Sequence, residues 1–298
     1  MTASVSARGG PKLARVIRST VRRRVAFYRW LSAAGVRRTS LLLFPLRRRL
    51  PPHRQRLDLA SGASLLATQD DPLIDMFDEV YVHRMYLPRS WNGVAAPTVV
   101  DVGANIGVFT VWAARELGAG RIVAVEPNPD PARQLRDNLA VNHLDDVAVV
   151  EAALGGERRK AMLYRRGPAV MNTLFHRDLY GSRFEAGKWV RVITLDDVFE
   201  RFHIERCNLL KLDCEGAEFE ALYGASPDLL ARIDHIVAEC HVGLTDHDPD
   251  ALQGFLEERG FAVTRFPPID WGSEAHGRFD GQVQVEEEGQ LLHASRTR

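Results

Sequence analysis

The 298-residue chain has few cysteines, no long apolar run and, in its first 56 residues, no acidic side chain. Cys207, Cys214 and Cys240 form no Cys-x-x-Cys pair, which argues against a zinc module and against a secreted disulfide scaffold. The best apolar stretch, residues 41–46, is too short to cross a membrane, and no apolar core of a secretory signal follows the early basic residues. We therefore expect a cytoplasmic protein.

The missing acids make residues 1–56 a basic arm with fourteen Arg and one Lys, whereas the remaining chain holds 24 basic and 39 acidic residues. The arm therefore carries a charge of +15 and the body −15. Apolar residues recur at helical spacing from Leu13 to Leu31 with arginines between them, which predicts a basic amphipathic helix. Such an arm suits an anionic membrane surface or nucleic acid, and equally a docking site on its own acidic body.

From residue 97 onward, short β-branched runs alternate with segments of helical periodicity. Residues 155–192 are less regular, and we expect a hairpin or a substrate-side loop there. The alternation predicts an α/β fold, a doubly wound Rossmann-like sheet with an N-terminal basic helical arm. The expected organisation is the arm at 1–56, a connecting segment at 57–96 and a cofactor-binding domain at 97–298. Strands are predicted at 97–102, 121–126, 147–151, 208–213, 233–239 and 261–266.

A glycine-rich turn follows the first strand of this domain, in the stretch Asp101-Val-Gly-Ala-Asn-Ile-Gly107. Gly103 permits a tight turn, and Gly107 lets the next helix pack close to the strand. Glu126 ends the second strand, where a carboxylate can accept hydrogen bonds from both hydroxyls of a ribose. These features predict a nucleoside-bearing cofactor.

The details of the turn distinguish two cofactors. A nicotinamide dinucleotide needs Gly-x-Gly-x-x-Gly at this place, but Asn105 replaces the middle glycine and Asp101 would repel a pyrophosphate. Asp101 can instead bind the ammonium of S-adenosylmethionine, directly or through water, or it is simply a turn or capping acid. S-Adenosylmethionine is therefore favoured, and a nicotinamide-dependent oxidoreductase on the same fold is an alternative.

Three segments, residues 101–110, 126–128 and 211–218, resemble the motifs of the FkbM-type methyltransferases, and the similarity covers about residues 99–241. The resemblance implies a class I methyltransferase sheet of seven strands with a reversed final strand, and S-adenosylmethionine as the cofactor. It also implies O-methylation of a hydroxyl on a sugar, glycolipid, polyketide or related metabolite. Carried over to this sequence, it places Glu126 at the ribose, Asn128 near the adenosine, and the turn along the methionine half, with Asp101, Gly103, Ala104, Asn105 and Gly107.

Methyl transfer to an alcohol needs a group that takes the hydroxyl proton. Asp213, Glu239 and His241 lie at predicted strand ends on the cofactor side and are the candidate catalytic residues. Asp213 is also counted with the cofactor-binding residues, since its position faces the transferred methyl; capping the next helix is the alternative. The three could hold a divalent metal, but nothing in the spacing demands one, so no metal site is predicted.

Three nearby side chains have structural interpretations. Lys211, in an otherwise apolar strand, predicts a buried ion pair with one of the neighbouring acids. For Glu215 and Glu218, the positive N terminus of the following helix is the favoured explanation.

Nucleic acid is a weaker candidate for the acceptor. RNA ribose methylation would use the basic arm, but no aromatic residues suited to stacking bases accompany its arginines. The fourth strand also ends in Leu-Asp-Cys-Glu-Gly and lacks the Asn-Pro-Pro-Tyr type of motif. We expect a small-molecule, glycan or glycolipid acceptor, with peripheral contact of residues 1–56 to an anionic membrane. Asn172 and Thr173 either contact acceptor hydroxyls or form a polar turn.

Overall fold

The computed structural model describes residues 27–41, 55–68, 71–166, 171–175, 184–266 and 289–297. Most of the basic arm, and with it most of the amphipathic helix predicted from Leu13 to Leu31, lies outside these ranges. Residues 27–33 are helical, and Leu31 and Val36 are buried against the body. Within the described ranges, no helix has the length and apolar character that crossing a membrane requires.

The connecting segment forms a hairpin and a helix. β1 (Gln55–Asp58) pairs antiparallel with β2 (Ser64–Ala67). α1 (Leu73–Phe77) begins directly after Pro72, as the Asp71-Pro72 pair predicts, and it continues as a π-helix over Asp78–Val82. π-Helical turns are rare and often occur at functional sites.

The body starts with three strands joined by two helices. In chain order they are β3 (Thr98–Val102), α2 (Val108–Arg115), β4 (Arg121–Val125), α3 (Pro129–Val141) and β5 (Ala148–Val150). Asn128 caps α3 by accepting the backbone N–H of Asp130, and Pro129 occupies the first helical position.

The next part of the chain forms a second, four-stranded sheet. Its strands are β6 (Ala153–Leu154), β7 (Arg159–Arg166), β8 (Met171–Thr173) and β9 (Phe184–Ile193), in the order β6-β9-β7-β8. The predicted hairpin is present as β7 and β8, and β9 pairs antiparallel with the other edge of β7, so the region is more regular than expected. Gly187 contributed to the expectation of a loop; in the structure a Cβ there would lie 1.7 Å from the carbonyl oxygen of Leu163, so the glycine allows two strands to approach closely.

The second half of the body completes the main sheet. Its elements are α4 (Leu195–Arg201), β10 (Leu209–Leu212), α5 (Glu218–Tyr223), α6 (Pro227–Leu230), β11 (His235–His241), α7 (Pro249–Glu257), β12 (Phe261–Phe266) and β13 (Gly289–Arg296). The seven-stranded order is β12-β13-β11-β10-β3-β4-β5. β13 runs antiparallel to both of its neighbours, and the other neighbouring strands are parallel. The doubly wound Rossmann-like fold and the reversed final strand are thus confirmed.

Both faces of this sheet are buried. Val100 and Leu210 pack with residues of α4 to α7 on one face, whereas Val99 and Leu209 pack with α1 and α2 on the other. Strands covered on both faces are apolar at nearly every position. Charged residues inside them are therefore exceptions, and two of these, Asp101 on β3 and Lys211 on β10, lie side by side.

Candidate functional site

Glu126 lies just beyond β4 and is only 5% exposed. Its Oε2 accepts the backbone N–H of Asn105 at 2.9 Å, and its Oε1 accepts the backbone N–H of Asn128 at 2.8 Å. Burial raises the pKa of this carboxyl to about 7, although the two N–H donors act in the opposite direction. The side chain is thus fixed at the carboxyl end of the strand, close to its ionisation midpoint at neutral pH.

The turn after β3 brings two strand ends together. Gly103 has a φ of 71°, and a Cβ there would lie 1.6 Å from the carbonyl oxygen of Asp213, so only glycine fits. Gly107, at the start of α2, packs against α3, and the buried Ala104 donates its N–H to the carbonyl of Val125. Asn105 has a buried Oδ1 without a hydrogen-bond partner among the described residues.

A cleft separates this turn from the second sheet. Asn172 on β8 accepts a hydrogen bond from Asn128 Nδ2 at 3.2 Å, so it lies on the Glu126 side of the cleft. Thr173, the last residue of β8, is 2% exposed and donates to the carbonyl of Glu215. The residues that line the cleft come from both sheets: Val102, Gly103, Asn105, Val125, Glu126, Pro127, Ala152, Ala153, Leu154, Leu163, Asn172, Leu174, Asp213, Cys214, Glu215 and Ala217.

Lys211 forms the buried ion pair that the sequence predicts. Its Nζ lies 3.2 Å from Asp213 Oδ2 and 3.3 Å from Asp101 Oδ1, and it donates to the carbonyl of Gly103 at 2.9 Å. Burial alone would lower the pKa of Lys211, but Asp213 and Asp101 raise it above its ordinary range. Lys211 therefore stays charged.

Asp101 has no exposed surface. Its Oδ2 accepts a hydrogen bond from Thr110 Oγ1 at 2.5 Å, while its Oδ1 faces Lys211. The side chain contacts these two residues and does not line the cleft. This placement leaves no carboxylate surface for direct contact with the ammonium of a cofactor.

Tyr86 joins two of the predicted catalytic carboxylates. Its hydroxyl oxygen lies 3.1 Å from Asp213 Oδ2 and 2.9 Å from Glu239 Oε2. The ring packs edge-on against Phe109, and Lys211 Nζ lies 5.1 Å from its centroid. Sequence reasoning missed Tyr86, because it belongs to the connecting segment, where no motif or spacing marks it. Asp213 makes these contacts, and within the described residues no side chain caps α5.

Three carboxyls around Tyr86 differ in their pKa values. Burial, reinforced by Asp213, raises the pKa of Glu239 to about 6. Burial would also raise the pKa of Asp213, but Lys211 and His241 outweigh it and hold that pKa below its usual value. Glu79 of the π-helix, also missed by sequence reasoning, has its pKa raised to about 9 by burial and by the charges of Glu239 and Asp213. At neutral pH Asp213 is therefore ionised and Glu79 is protonated.

His241 is the last residue of β11, and its imidazole lies close to several carboxylates. Its Nδ1 lies 2.7 Å from Glu218 Oε1, and its Nε2 lies 3.7 Å from Glu215 Oε2 and 4.0 Å from Asp213 Oδ1. Burial acts to lower the pKa of His241, but Glu215 and Glu218 raise it well above its usual value. The imidazole is thus protonated at neutral pH, which argues against its predicted role as a base. Glu218 also accepts the N–H of Cys214, which precedes α5.

Metal-ligating side chains do not converge at this site. In the part of the chain that the structure describes, no group of three or more His, Cys, Asp or Glu residues could hold a metal ion.

Comparison with known proteins identifies relatives of this chain. The family model described as the Methyltransferase FkbM domain matches residues 101–263. The chain is 30% identical to Methyltransferase 1 of Beauveria bassiana, with 64% of this chain and 84% of that protein covered. It is 27% identical to the 31-O-demethyl-FK506 methyltransferase FkbM of Streptomyces tacrolimicus, over 74% of this chain and 95% of that protein. A 28% match to the AMB antimetabolite synthetase AmbE of Pseudomonas aeruginosa covers 70% of this chain but only 11% of that much longer protein.

Proposed function

The chain belongs to the FkbM methyltransferase family, and we propose that it transfers a methyl group from S-adenosylmethionine to a hydroxyl oxygen of a sugar, glycolipid, polyketide or related metabolite. The observation that carries this proposal is the fixed carboxylate of Glu126 at the cleft. The choice of oxygen as the acceptor atom is supported by the name of the Streptomyces relative, which specifies a 31-O position.

The residues of the cleft fit a cofactor that carries a ribose. An ionised carboxylate has about four acceptor positions, and two of those on Glu126 hold backbone N–H groups. The remaining positions suit the two ribose hydroxyls. The buried Oδ1 of Asn105, which has no partner among the described residues, suits a further donor on the ligand. When bound, S-adenosylmethionine supplies a methyl group on a positively charged sulfur.

In this proposal Asp213 is the residue that binds the acceptor hydroxyl. It lines the cleft and is ionised at neutral pH, so its carboxylate can accept a hydrogen bond from the acceptor hydroxyl. Holding that oxygen in line with the methyl group is the main task of the protein, because proximity and orientation can supply about 7–11 kcal/mol. The ammonium of Lys211 forms an ion pair with Asp213 and keeps its carboxylate ionised.

Tyr86 provides a path for the proton. A phenol has a single proton to donate, so its contacts with both carboxyls are hydrogen bonds only when one carboxyl is protonated. Glu239, with a pKa raised to about 6, takes up that proton more readily than Asp213. We infer that the proton leaves the acceptor oxygen for Asp213, that Asp213 protonates the Tyr86 oxygen, and that Tyr86 passes its own proton to Glu239 Oε2. Asp213 is then ionised again.

The substitution Glu126→Gln tests the cofactor site. We expect the affinity for S-adenosylhomocysteine, measured by titration calorimetry, to fall roughly ten- to a hundredfold, the equivalent of about 1.5–3 kcal/mol. Glu151→Gln is the matched control, because Glu151 follows the next strand but its carboxylate pairs with Arg136 at 2.6 Å and is 44% exposed. Equal affinities for the two variants would contradict the proposed cofactor site.

The kind of methylated atom is tested by the stability of the product. The enzyme is incubated with methyl-tritiated S-adenosylmethionine and separate pools of sugars, glycolipids and polyketides. A methyl ether on a hydroxyl oxygen keeps its label in alkali. Label released as methanol would indicate a carboxylate ester and would overturn the hydroxyl as acceptor, while leaving the methyltransferase activity intact.

A further inference from the structure

The outer face of the antiparallel strands β7 and β9 exposes a tryptophan. Trp189 is 69% exposed, and among the described residues the other exposed large apolar side chain is Val82 at 37%. Trp189 is paired with Met162 across these two strands, and Arg191 is paired with Lys160. Directly paired residues point to the same side of a sheet, so these four side chains share one surface, which we call the Trp189 face.

The Trp189 face is positively charged. Residues 158–191 contain nine basic and two acidic residues, within a body whose net charge is −15. Some of these basic groups are neutralised, such as Lys188 by Asp130 and Arg159 by Glu220. Lys160 and Arg191 have no ion-pair partner among the described residues, so two unneutralised charges flank the exposed indole.

This surface lies on the opposite side of β7 from the cleft of the proposed active site. Leu163 follows Met162 on β7 and points to the opposite side of the strand, where it is buried and lines the cleft. The same strand therefore carries one wall of the cleft on its inner side and the Trp189 face on its outer side. A partner bound to the Trp189 face would therefore be separated from the cleft only by strand β7.

We propose that the Trp189 face docks on the surface of an anionic lipid bilayer. An indole is stable at the boundary between headgroups and acyl chains, because one end of it is apolar and the other carries an N–H. Unneutralised Lys and Arg add electrostatic attraction to anionic headgroups. Single-stranded nucleic acid uses a row of stacking aromatics, whereas this face pairs one exposed ring with the thioether side chain of Met162. The docking needs no cofactor and is independent of the proposed reaction.

Vesicle sedimentation of the full chain tests the docking. The vesicles contain equal shares of phosphatidylglycerol and phosphatidylcholine, in about 150 mM salt. We expect Trp189→Ala to weaken binding about tenfold or more, and Lys160→Ala and Arg191→Ala about fivefold each. Arg201→Ala removes the same charge from an exposed position of α4 and should bind like the unchanged protein. The basic arm is present in every variant, so it cannot account for a difference between them.

Brominated phosphatidylcholine in the same vesicles reports the depth of the indole. The unchanged protein should lose part of its tryptophan fluorescence on binding, and Trp189→Phe should remove that loss. Unaltered binding and quenching in the Trp189 variants would overturn the proposal. Retention of an oligo(U) RNA that falls with Lys160→Ala and Arg191→Ala, with vesicle binding unchanged, would also overturn it and would assign the face to nucleic acid.

Discussion

At the scale of single residues, the carboxyls at the strand ends differ because their neighbours differ. Asp213 is held ionised by Lys211 at 3.2 Å, whereas Glu239 has no such ion pair among the described residues, and burial raises its pKa to about 6. The pKa of His241 is likewise raised by Glu215 and Glu218, at 3.7 and 2.7 Å. A list of polar residues at strand ends therefore identifies candidates, while the contacts of each residue assign its protonation state.

Removing the Tyr86 hydroxyl should change the pH dependence of the reaction. With S-adenosylmethionine saturating, so that the ionisation of Glu126 does not limit the rate, kcat/KM of the unchanged enzyme for the acceptor should fall below about pH 6, where Glu239 becomes protonated. Because the hydrogen bond from Tyr86 lowers the pKa of Glu239, Tyr86→Phe should shift that fall to higher pH and should lower kcat about a hundredfold. The measurement is the rate of tritiated methyl transfer across a pH series.

Tyr81→Phe is the matched control for this prediction. The Tyr81 hydroxyl is buried and has no hydrogen-bond partner among the described residues, so its loss should leave the profile in place. If Tyr86→Phe shows the same pH profile and kcat as Tyr81→Phe, the proton path through Tyr86 is wrong.

At the scale of elements, α3 holds the connecting segment against the body. Asn138 accepts the N–H of Leu66 at 2.6 Å and donates to its carbonyl at 2.9 Å, as a neighbouring strand would. Asn142 makes the equivalent pair of hydrogen bonds with Ser64, at 2.9 and 2.6 Å. The helix thus completes one edge of the β1–β2 hairpin with side chains. This connection anchors the segment that carries Tyr86 and Glu79 to the site.

The substitution Asn138→Ala should destabilise the fold by about 3 kcal/mol. It removes both bonds to Leu66 and a third, buried one to the carbonyl of Ile106 at 2.7 Å, leaving backbone groups unsatisfied. The measurement is the free energy of unfolding in urea. Gln134→Ala is the control, because Gln134 makes one longer bond, at 3.3 Å, to the same carbonyl of Leu66, and should cost under about 1 kcal/mol. Equal losses in both variants would argue against this anchoring.

At the scale of the whole molecule, a rise in pH should lower the stability of the fold and favour the binding of the cofactor. Burial raises the pKa of Glu126, Glu239 and Glu79 to about 7, 6 and 9, from a usual value of 4.5. A raised carboxyl pKa stabilises the fold fully below pH 4.5, and that stabilisation is lost as the pH rises through the folded value. The proposed cofactor binds the ionised form of Glu126, whereas burial in the fold favours the protonated form.

The melting temperature should therefore fall as the pH rises from about 5 to 9. For Glu126 alone, a shift from 4.5 to about 7 corresponds to about 3 kcal/mol. Half-buried His235 and buried His293, whose pKa values are lowered by desolvation, act oppositely but only below about pH 6.5. Saturating S-adenosylhomocysteine should raise the melting temperature more at pH 8 than at pH 6. A melting temperature that climbs across this range without ligand would contradict the assignment.

The basic arm, residues 1–56, gives the whole molecule its uneven distribution of charge. Its contact with an anionic membrane stays a prediction, since residues 1–26 and 42–54 lie outside the described ranges. The Trp189 face is a separate positive surface on the body, so variants of each can be compared in the same vesicle assay.

The sequence by itself determined the alternation of strands and helices that builds most of the main sheet, and the position of the cofactor turn. These depend on local causes, such as β-branched runs, the proline and asparagine at the ends of α3, and the glycine that the turn at residue 103 requires. The tertiary structure alone decided that Tyr86 contacts Glu239, 153 positions away, that Asp101 is fully buried against Lys211, and that His241 is charged. Protonation and contact depend on distances of a few ångströms between side chains from separate elements, and spacing along the chain does not encode those distances.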